Sequence, residues 1–523
     1  MHPSRWGDPA AATPLPDAAR GLIEQAFGLE DRTAVDRPDL PASAIAPVLL
    51  EALRDLLGEQ NVLTDDETRR LRTRGKSTPD LLRLRHGDGL DSPDAVVRPG
   101  SHAEVLAVID WCVRRHVALV PFGGGTSVVG GLAARRDGFA GVISLDLIRF
   151  DKLLEVDHES MTVVLEPGLR GPAAEALLAA EGLTLGHFPQ SFEYATIGGF
   201  AVTRSSGQSS AGYGRFDALV VGLKVATPQG TLELGRSPAN AAGPDLRELV
   251  MGSEGAFGVV TAVRLRVRRA PAVKVYESWQ FASFADGATA MRTLAQAGML
   301  PTVIRLSDEA ETAINLARPS EVGGPATDDP AAGGCLMIAG YEGTQEAVDA
   351  RRTACTALLA SLGGTDLGED GGRAWAQGRY HGPYLRDSLL DVGVLVETLE
   401  TVTFWSNLDH VYDAVKQALT ASLGESTIVL CHISHVYETG ASLYFTVAAP
   451  QSDDPVAQWL AAKAAASDAM VHSGASITHH HAVGQDHKPW LAEEIGPVGV
   501  EILRAVKERL DPTGVLNPGI LIP

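Results

Sequence analysis

The sequence predicts an α+β protein built in two main lobes, and three observations predict it. At 523 residues the chain exceeds the size at which a single hydrophobic core stops growing. Strand-like segments crowd the first half, from GVISLDL to GVVTAVRLRVRR, with one helical segment among them. Near Ala270 that pattern stops, and YESWQFASFADGATAMRTLAQAG passes from a strand signature into a helical one.

The elements follow in order. Apolar spacing in APVLLEALRDLLGE, with the charged continuation DDETRRLRTRGKS, marks residues 41–88 as helical. AEVLAVIDWCVRR predicts a helix that feeds the short apolar strand VALVPF, which ends in glycines. GVISLDL, MTVVLEPG, ALVVGLKVATPQGTLEL and GVVTAVRLRVRR read as strands, and GPAAEALLAAEG as a helix. In the last strand Val263, Leu265 and Val267 alternate with Arg264, Arg266 and Arg268, the period of two that a half-buried strand requires. Pro228 and Gly230 suit turn positions, which predicts a hairpin in VATPQGTLEL. In the second lobe, PTVIRLSD, CLMIAGYEG and STIVLCHISHVYETGASLYFTVAAP carry strands. Residues 317–334, rich in Pro, Gly and Asp, predict a mobile surface loop that could act as a flap over a site. The helix GPVGVEILRAVKERLD and the breaker-rich PTGVLNPGILIP close the chain. The expected divisions are an N-terminal helical extension (1–90), a first lobe (91–270), a second lobe (271–475) and a His-rich segment with a helical tail (476–523).

Composition narrows the function. With 44 Lys and Arg against 65 Asp and Glu, the net charge of −21 argues against non-specific binding to nucleic acid or to an anionic membrane. A hydrophobic fraction of 45% without any bilayer-spanning apolar run reads as soluble. Cys112, Cys335, Cys355 and Cys431 form no CxxC pair, which argues against a zinc site, an iron–sulfur cluster or a disulfide framework. MHPSRWGDPAAATPLP lacks the apolar core of a secretion signal, and ILIP is no peroxisomal address, so the expected location is cytoplasmic.

The strongest local signal is PFGGGTSVVGGL, in which Pro121, Phe122, Gly123, Gly124, Gly125, Thr126 and Ser127 follow directly on a strand. Such a loop can turn several backbone N–H groups toward an anion, and a diphosphate fits it. No Gly-Lys-Ser/Thr follows and a strand comes next, so it is neither a Walker A loop nor a Rossmann fingerprint. Two more stretches of small and hydroxyl residues, FPQSFEYATIGGFAVTRSSGQSSAGYG and GSEGAFGVV, lie at strand edges. Together the three loops offer the convergent donors that a diphosphate and a ribityl chain need.

The second lobe contains SITHHHAVGQDHKPW, with His479, His480 and His481 in a row. In an extended segment His479 and His481 would share a face and His480 would point away, so the three could not readily hold one ion. No carboxylate or Cys accompanies them in the spacings that zinc favours, and the expectation is an anion or proton-transfer site, with no metal.

On these motifs the chain resembles the FAD-linked oxidases related to vanillyl-alcohol oxidase, from about Asp91 to Arg268. The resemblance implies a two-part FAD-binding domain of the vanillyl-alcohol-oxidase type and an α+β substrate (cap) domain. It places the FAD diphosphate on Pro121 to Ser127. The ribityl and isoalloxazine parts fall to Gln190, Ser191, Thr196, Gly199, Thr203, Arg204, Ser205 and Ser206. The adenine side falls to Glu254, Gly255, Ala256, Phe257, Gly258, Val259 and Val260. Covalent relatives tether the flavin through a histidine near the first loop, and this loop has none, so FAD is expected to be non-covalent.

Within that group the histidine triplet is similar to that of the alkyl-dihydroxyacetone-phosphate synthase branch. The stretches RWG, PTVIRLSD, YLRDSLLD, LETVTFW and YETGASLYF extend the likeness over nearly the whole chain. It implies Tyr444 as acid/base group, Arg386 as grip on the substrate phosphate, Arg305 as support, and His479, His480 and His481 as completing the site. The implied reaction exchanges the acyl group of acyl-dihydroxyacetone phosphate for a fatty alcohol through a flavin N5 adduct. The alternative is an FAD-dependent dehydrogenase of a 2-hydroxyacid such as D-lactate, glycolate or D-2-hydroxyglutarate. A lipid-phosphate substrate, peripheral membrane contact for lipid access and a homodimer also follow from the resemblance.

Overall fold

A helix that opens on a hydroxyl cap delivers the chain into the core of the first lobe. In this computed structural model, which describes residues 1–12, 14–35, 37–315, 322 and 333–523, helix His102–Arg115 begins where the Ser101 side chain accepts the Glu104 N–H. It buries Val105, Val108, Ile109 and Cys112, and His116 ends it in the left-handed region at φ 52°. The strands around it are β1 (Val62–Leu63), β2 (Ala95–Val97), β3 (Ala118–Phe122) and β4 (Val142–Asp146), ordered β1-β2-β4-β3. β2, β4 and β3 are parallel, and their apolar residues are buried on both faces, as parallel strands require. Because β1 pairs antiparallel with β2, residues from the expected extension enter this sheet.

The chain continues through β5 (Leu153–Asp157), β6 (Thr162–Leu165), β7 (Leu183–Thr184), β8 (Val220–Thr227), β9 (Gly230–Leu234), β10 (Val259–Arg266) and β11 (Arg268–Arg269). Five of these form an antiparallel sheet ordered β5-β6-β10-β8-β9, and β7 pairs with β11. β8 and β9 form the hairpin expected at Gly230. Val263, Leu265 and Val267 are buried, while Arg266 is exposed and Arg264 and Arg268 are half-buried.

The second lobe is one antiparallel sheet of β12 (Val273–Phe281), β13 (Val303–Ser307), β14 (Cys335–Gly343), β15 (Thr365–Gly368), β16 (Val394–Phe404), β17 (Ile428–Ile433) and β18 (Gly440–Pro450). Their order is β15-β12-β14-β13-β17-β18-β16. Helices Phe284–Gln296, Gln345–Ser361, Leu408–Leu423 and Pro455–His472 contribute Leu294, Leu359, Val415 and Trp459 to one core with Leu306, Leu443 and Phe445. Alternation along the strands leaves Arg305, His432 and Tyr444 on the opposite side, where they line a cavity against the first lobe. The stretch 317–334 lies outside the described residues except for Val322, Gly333 and Gly334. All four cysteines are buried free thiols. Among the described residues no helix is long and apolar enough to cross a membrane.

Both ends of the chain tie into this frame. Lys76 Nζ donates to the carbonyls of His2 and Pro3, each at 2.6 Å. Arg5 pairs with Asp391 at 2.7 Å, and the Trp6 N–H donates to Asp387 at 2.5 Å. These contacts fasten residues 1–7 across the two lobes as a strap. At the other end Leu119 of β3 donates to the Val515 carbonyl and accepts from the Asn517 N–H, both at 2.8 Å. The closing helix spans Leu491–Leu510 and is bent at Gly496, φ 73°, so it starts before the segment from which it was expected.

Candidate active site

A cavity of about 400 Å³ opens where the polar side of the seven-stranded sheet meets the three loops of the first lobe. Pro121, Phe122, Gly123, Gly124, Gly125, Thr126 and Ser127 all line it. Glycine is required here by close approach: a Cβ on Gly124 would stand 2.0 Å from the Tyr194 carbonyl oxygen, and one on Gly123 2.4 Å from Thr196 Oγ1. The backbone N–H groups of Gly124 to Ser127 donate to no other described residue, which leaves them available to an anion.

The second loop contributes Gln190, Ser191, Thr196, Gly199, Thr203, Ser205 and Ser206 to the lining. Arg204 turns away from it, with φ 53°, to pair with Asp217 at 3.2 Å and Glu248 at 2.7 Å. From the third stretch Glu254, Gly255, Gly258, Val259 and Val260 face the cavity. Ala256 and Phe257 point instead into a small core with Ile477, Leu491 and Ile520. Burial pushes the Glu254 carboxyl up to about 7, against the Gly484 N–H that it accepts at 2.7 Å. The donor-rich glycine loop, with hydroxyls on the second stretch, fits the diphosphate and ribityl chain of FAD.

The opposite wall comes from sheet register. Glu400 of β16 stands beside Tyr444 of β18, which stands beside His432 of β17. The rings of His432 and Tyr444 stack at 4.7 Å. His432 Nδ1 contacts Glu311 at 3.1 Å, and Glu311 also accepts from Ser307 and pairs with Arg305. Burial favours the neutral acid at Glu311, but Arg305 and His432 outweigh it and hold the carboxyl at about 2.

Tyr444 differs from expectation. Neighbouring positive charge would make it a base near neutrality, yet burial, reinforced by Glu397 and Glu400, pushes it up to about 12 against the opposing effect of Arg386. At neutral pH Tyr444 is a protonated donor.

The histidine triplet also differs. His480 and His481 both line the cavity, while His479 lies behind them, with Nε2 against Tyr437 Oη at 2.6 Å. The strand alternation fails because the segment curls around one carboxylate. Glu400 accepts the backbone N–H of His479 at 2.7 Å, of His480 at 3.1 Å and of His481 at 2.9 Å, and the Thr478 hydroxyl at 2.6 Å. Burial disfavours this charge, but His480, His481 and His479 hold Glu400 well below the usual carboxylate range. Burial in turn lowers the imidazoles, His481 to about 3, so they are neutral near pH 7.

Nitrogens of His435, His479 and His480 lie within 4.8 Å of one another, close enough for one cation. His435 Nδ1 is engaged by Ser206 at 3.0 Å and Ser210 at 2.7 Å, and His479 Nδ1 by His480 Nδ1 at 2.9 Å. Those nitrogens are occupied within the protein.

Arg305 and Arg386 both line the cavity. Arg386 donates Nη1 to the Lys76 carbonyl at 2.7 Å, while its buried Nε and Nη2 meet no acceptor among the described residues. Arg379, His432, His435, Glu397 and Trp6 also line the cavity without having been singled out in the sequence. Local signals were slight: Trp6 lies in the RWG stretch, and CHISH holds two histidines three positions apart where an apolar strand ends at Ile433.

Comparison with known proteins agrees with this architecture. Residues 93–235 match the FAD binding domain, and residues 270–521 the C-terminal domain of FAD linked oxidases. An alkyldihydroxyacetonephosphate synthase of Dictyostelium discoideum is 33% identical over 98% of this chain and 88% of its own. A solved structure of an alkyldihydroxyacetonephosphate synthase superposes with a TM-score of 0.81 at 30% identity, covering 96% of this chain and 90% of the other. A p-cresol methylhydroxylase structure, 17% identical, shares the fold at a TM-score of 0.70, over 90% of this chain and 96% of its own. FAD is therefore the cofactor, and the chain belongs to the alkyldihydroxyacetonephosphate synthase family of FAD-linked oxidases.

Proposed function

We propose that this chain exchanges the acyl group of an acyl-dihydroxyacetone phosphate for a fatty alcohol, as the names of its relatives suggest. The observation that carries the reading is the pairing, in one cavity, of guanidinium N–H groups that lack acceptors with neutral imidazoles and a protonated tyrosine. FAD, when bound, supplies the ring that takes up and returns the electron pair, so the exchange has no net redox change. Arg386 grips the phosphate through Nε and Nη2, with the Lys76 carbonyl fixing its remaining arm. His480 and His481, neutral and held by Glu400, take the proton of the incoming alcohol. Tyr444 donates a hydrogen bond to oxygen that gains charge. Leu385, Leu389, Val396 and Trp375 give part of the cavity an apolar wall suited to an alkyl chain. The absence of any nucleophilic His, Cys or Tyr from residues 121–132 supports non-covalent FAD.

Anaerobic flavin spectra with palmitoyl-dihydroxyacetone phosphate, D-lactate and D-2-hydroxyglutarate test the reading. Release of palmitate without lasting bleaching, followed by ether product on adding hexadecanol, is the expected outcome. Lasting bleaching by a hydroxyacid, with formation of the ketoacid, would make the chain a dehydrogenase instead.

A further inference from the structure

Arg379 sits between helices Asp370–Gly378 and Gly382–Asp391, seven positions before Arg386, and lines the same cavity. Its guanidinium lies over three aromatic rings, at 5.0 Å from Tyr380, 5.2 Å from Phe188 and 5.7 Å from Trp375. Those faces hold the group in place by dispersion and cation–π attraction. Nη1 of Arg379 is buried and has no acceptor among the described residues.

The charges around the cavity are unequally matched. Arg305 pairs with Glu311. Arg379 and Arg386 have no carboxylate at ion-pair distance among the described residues; Arg386 has only a neutral carbonyl. The lining carboxylates are engaged elsewhere: Glu397 accepts the N–H groups of Thr78 and Thr398, and Glu254 that of Gly484. Two guanidiniums thus contribute three buried N–H-bearing nitrogens, Arg379 Nη1 and Arg386 Nε and Nη2, that meet no acceptor among the described residues and are open to the oxygens of a ligand. One guanidinium fork saturates a carboxylate, whereas a phosphate monoester brings three terminal oxygens and nearly two charges.

We infer that Arg379 is a second arm of the substrate-anion site and gives it a preference for a phosphate dianion over a monoanionic carboxylate. The inference deepens the proposed function and rests on it for the identity of the phosphate ester. Its test is calorimetric titration of inorganic phosphate, and separately of D-lactate, into the FAD-loaded protein and its R379Q and R379K variants. R379Q should weaken phosphate binding about 10- to 100-fold and raise KM for palmitoyl-dihydroxyacetone phosphate similarly, with the flavin spectrum unchanged. Wild-type affinity for inorganic phosphate should fall as the pH drops below neutrality, where its second charge is lost, and R379Q should flatten that dependence. If R379Q fails to fold, R379K answers the same question: it keeps the charge, loses the planar fork and should bind phosphate with intermediate affinity. Phosphate affinity equal to wild type in R379Q, an equal loss for D-lactate, or no phosphate binding by the wild type would each overturn the role. Phosphate binding that depends on Arg379, without turnover of the acyl substrate, would sink the proposed reaction and leave this role standing.

Discussion

Glu400 shows how one side chain can organise a site it does not line. Its carboxylate gathers three consecutive backbone N–H groups and turns His480 and His481 together onto the cavity. It is a positioning residue, and its negative charge also raises the affinity of the imidazoles for a proton. Glu400→Gln keeps the size, removes the charge and substitutes a donor where two acceptors are needed. The turnover rate should fall by about 10²-fold, and the acid limb of the pH–rate profile should shift to lower pH, because the imidazoles lose the anion that favours their protonation. An unshifted profile would restrict Glu400 to a structural part. The histidine triplet was legible as chemistry in the sequence, but its geometry was not. Strand alternation presumes an extended backbone, and the buried carboxylate that bends it lies 79 positions away from His479. Tyr444 was legible for the same limited reason: its place on a strand follows from alternation, whereas its raised pKa depends on its burial in the assembled fold and, after that, on Glu397 and Glu400 of the neighbouring strand.

Among the elements, the glycine loop was the most readable and gives the sharpest prediction. Gly124→Ala places a methyl group 2.0 Å from the Tyr194 carbonyl oxygen, so the first loop must leave the second. FAD content after purification should drop at least about tenfold, which corresponds to roughly 1.4 kcal/mol, and absorbance of the purified protein checks it. Full flavin occupancy would remove the close approach from the account. The helix–strand entry to this loop was readable because capping, apolar spacing and terminal glycines agree locally. Arg204, Ala256 and Phe257 show the limit: the stretches were correctly found, but which side chains face inward depends on backbone φ and on partners such as Asp217 and Ile477. The strap of residues 1–7 had almost no signature, since its hold comes from Lys76, Asp387 and Asp391, far along the chain.

Across the whole molecule, the buried imidazoles dominate the response to acid. Burial lowers His432 and His487 to about 4, and His187 and His481 to about 3, from the ordinary 6.5. The unfolded chain takes up these protons first, so their contribution to stability is full above 6.5 and is lost as the pH falls toward the folded values. Glu311 and Glu400, lowered from 4.5, reinforce the loss further down. Glu254 and Asp80, raised to about 7 and about 6, act oppositely, as do Glu166, Glu175 and Asp308, but the lowered imidazoles, which also include His102, His435, His479 and His480, outnumber them. The Tm of the flavin-loaded protein should therefore fall steadily from pH 7 to pH 5, before ordinary carboxylates titrate, and a Tm that rises over that interval would contradict the burial. Two lobes were foreseeable from length and from the break near Ala270, but the crossing of both chain ends into the first lobe was not, because isolated short segments carry no pairing signal. That crossing bears on synthesis. Asn517 donates from Nδ2 to the carbonyls of Gly131 and Glu254, beside two of the flavin loops, at 3.2 Å and 2.6 Å. A nascent chain on the ribosome therefore lacks this brace on its flavin loops until residue 517 has emerged, and a chain ended before that residue should retain less FAD than the full chain.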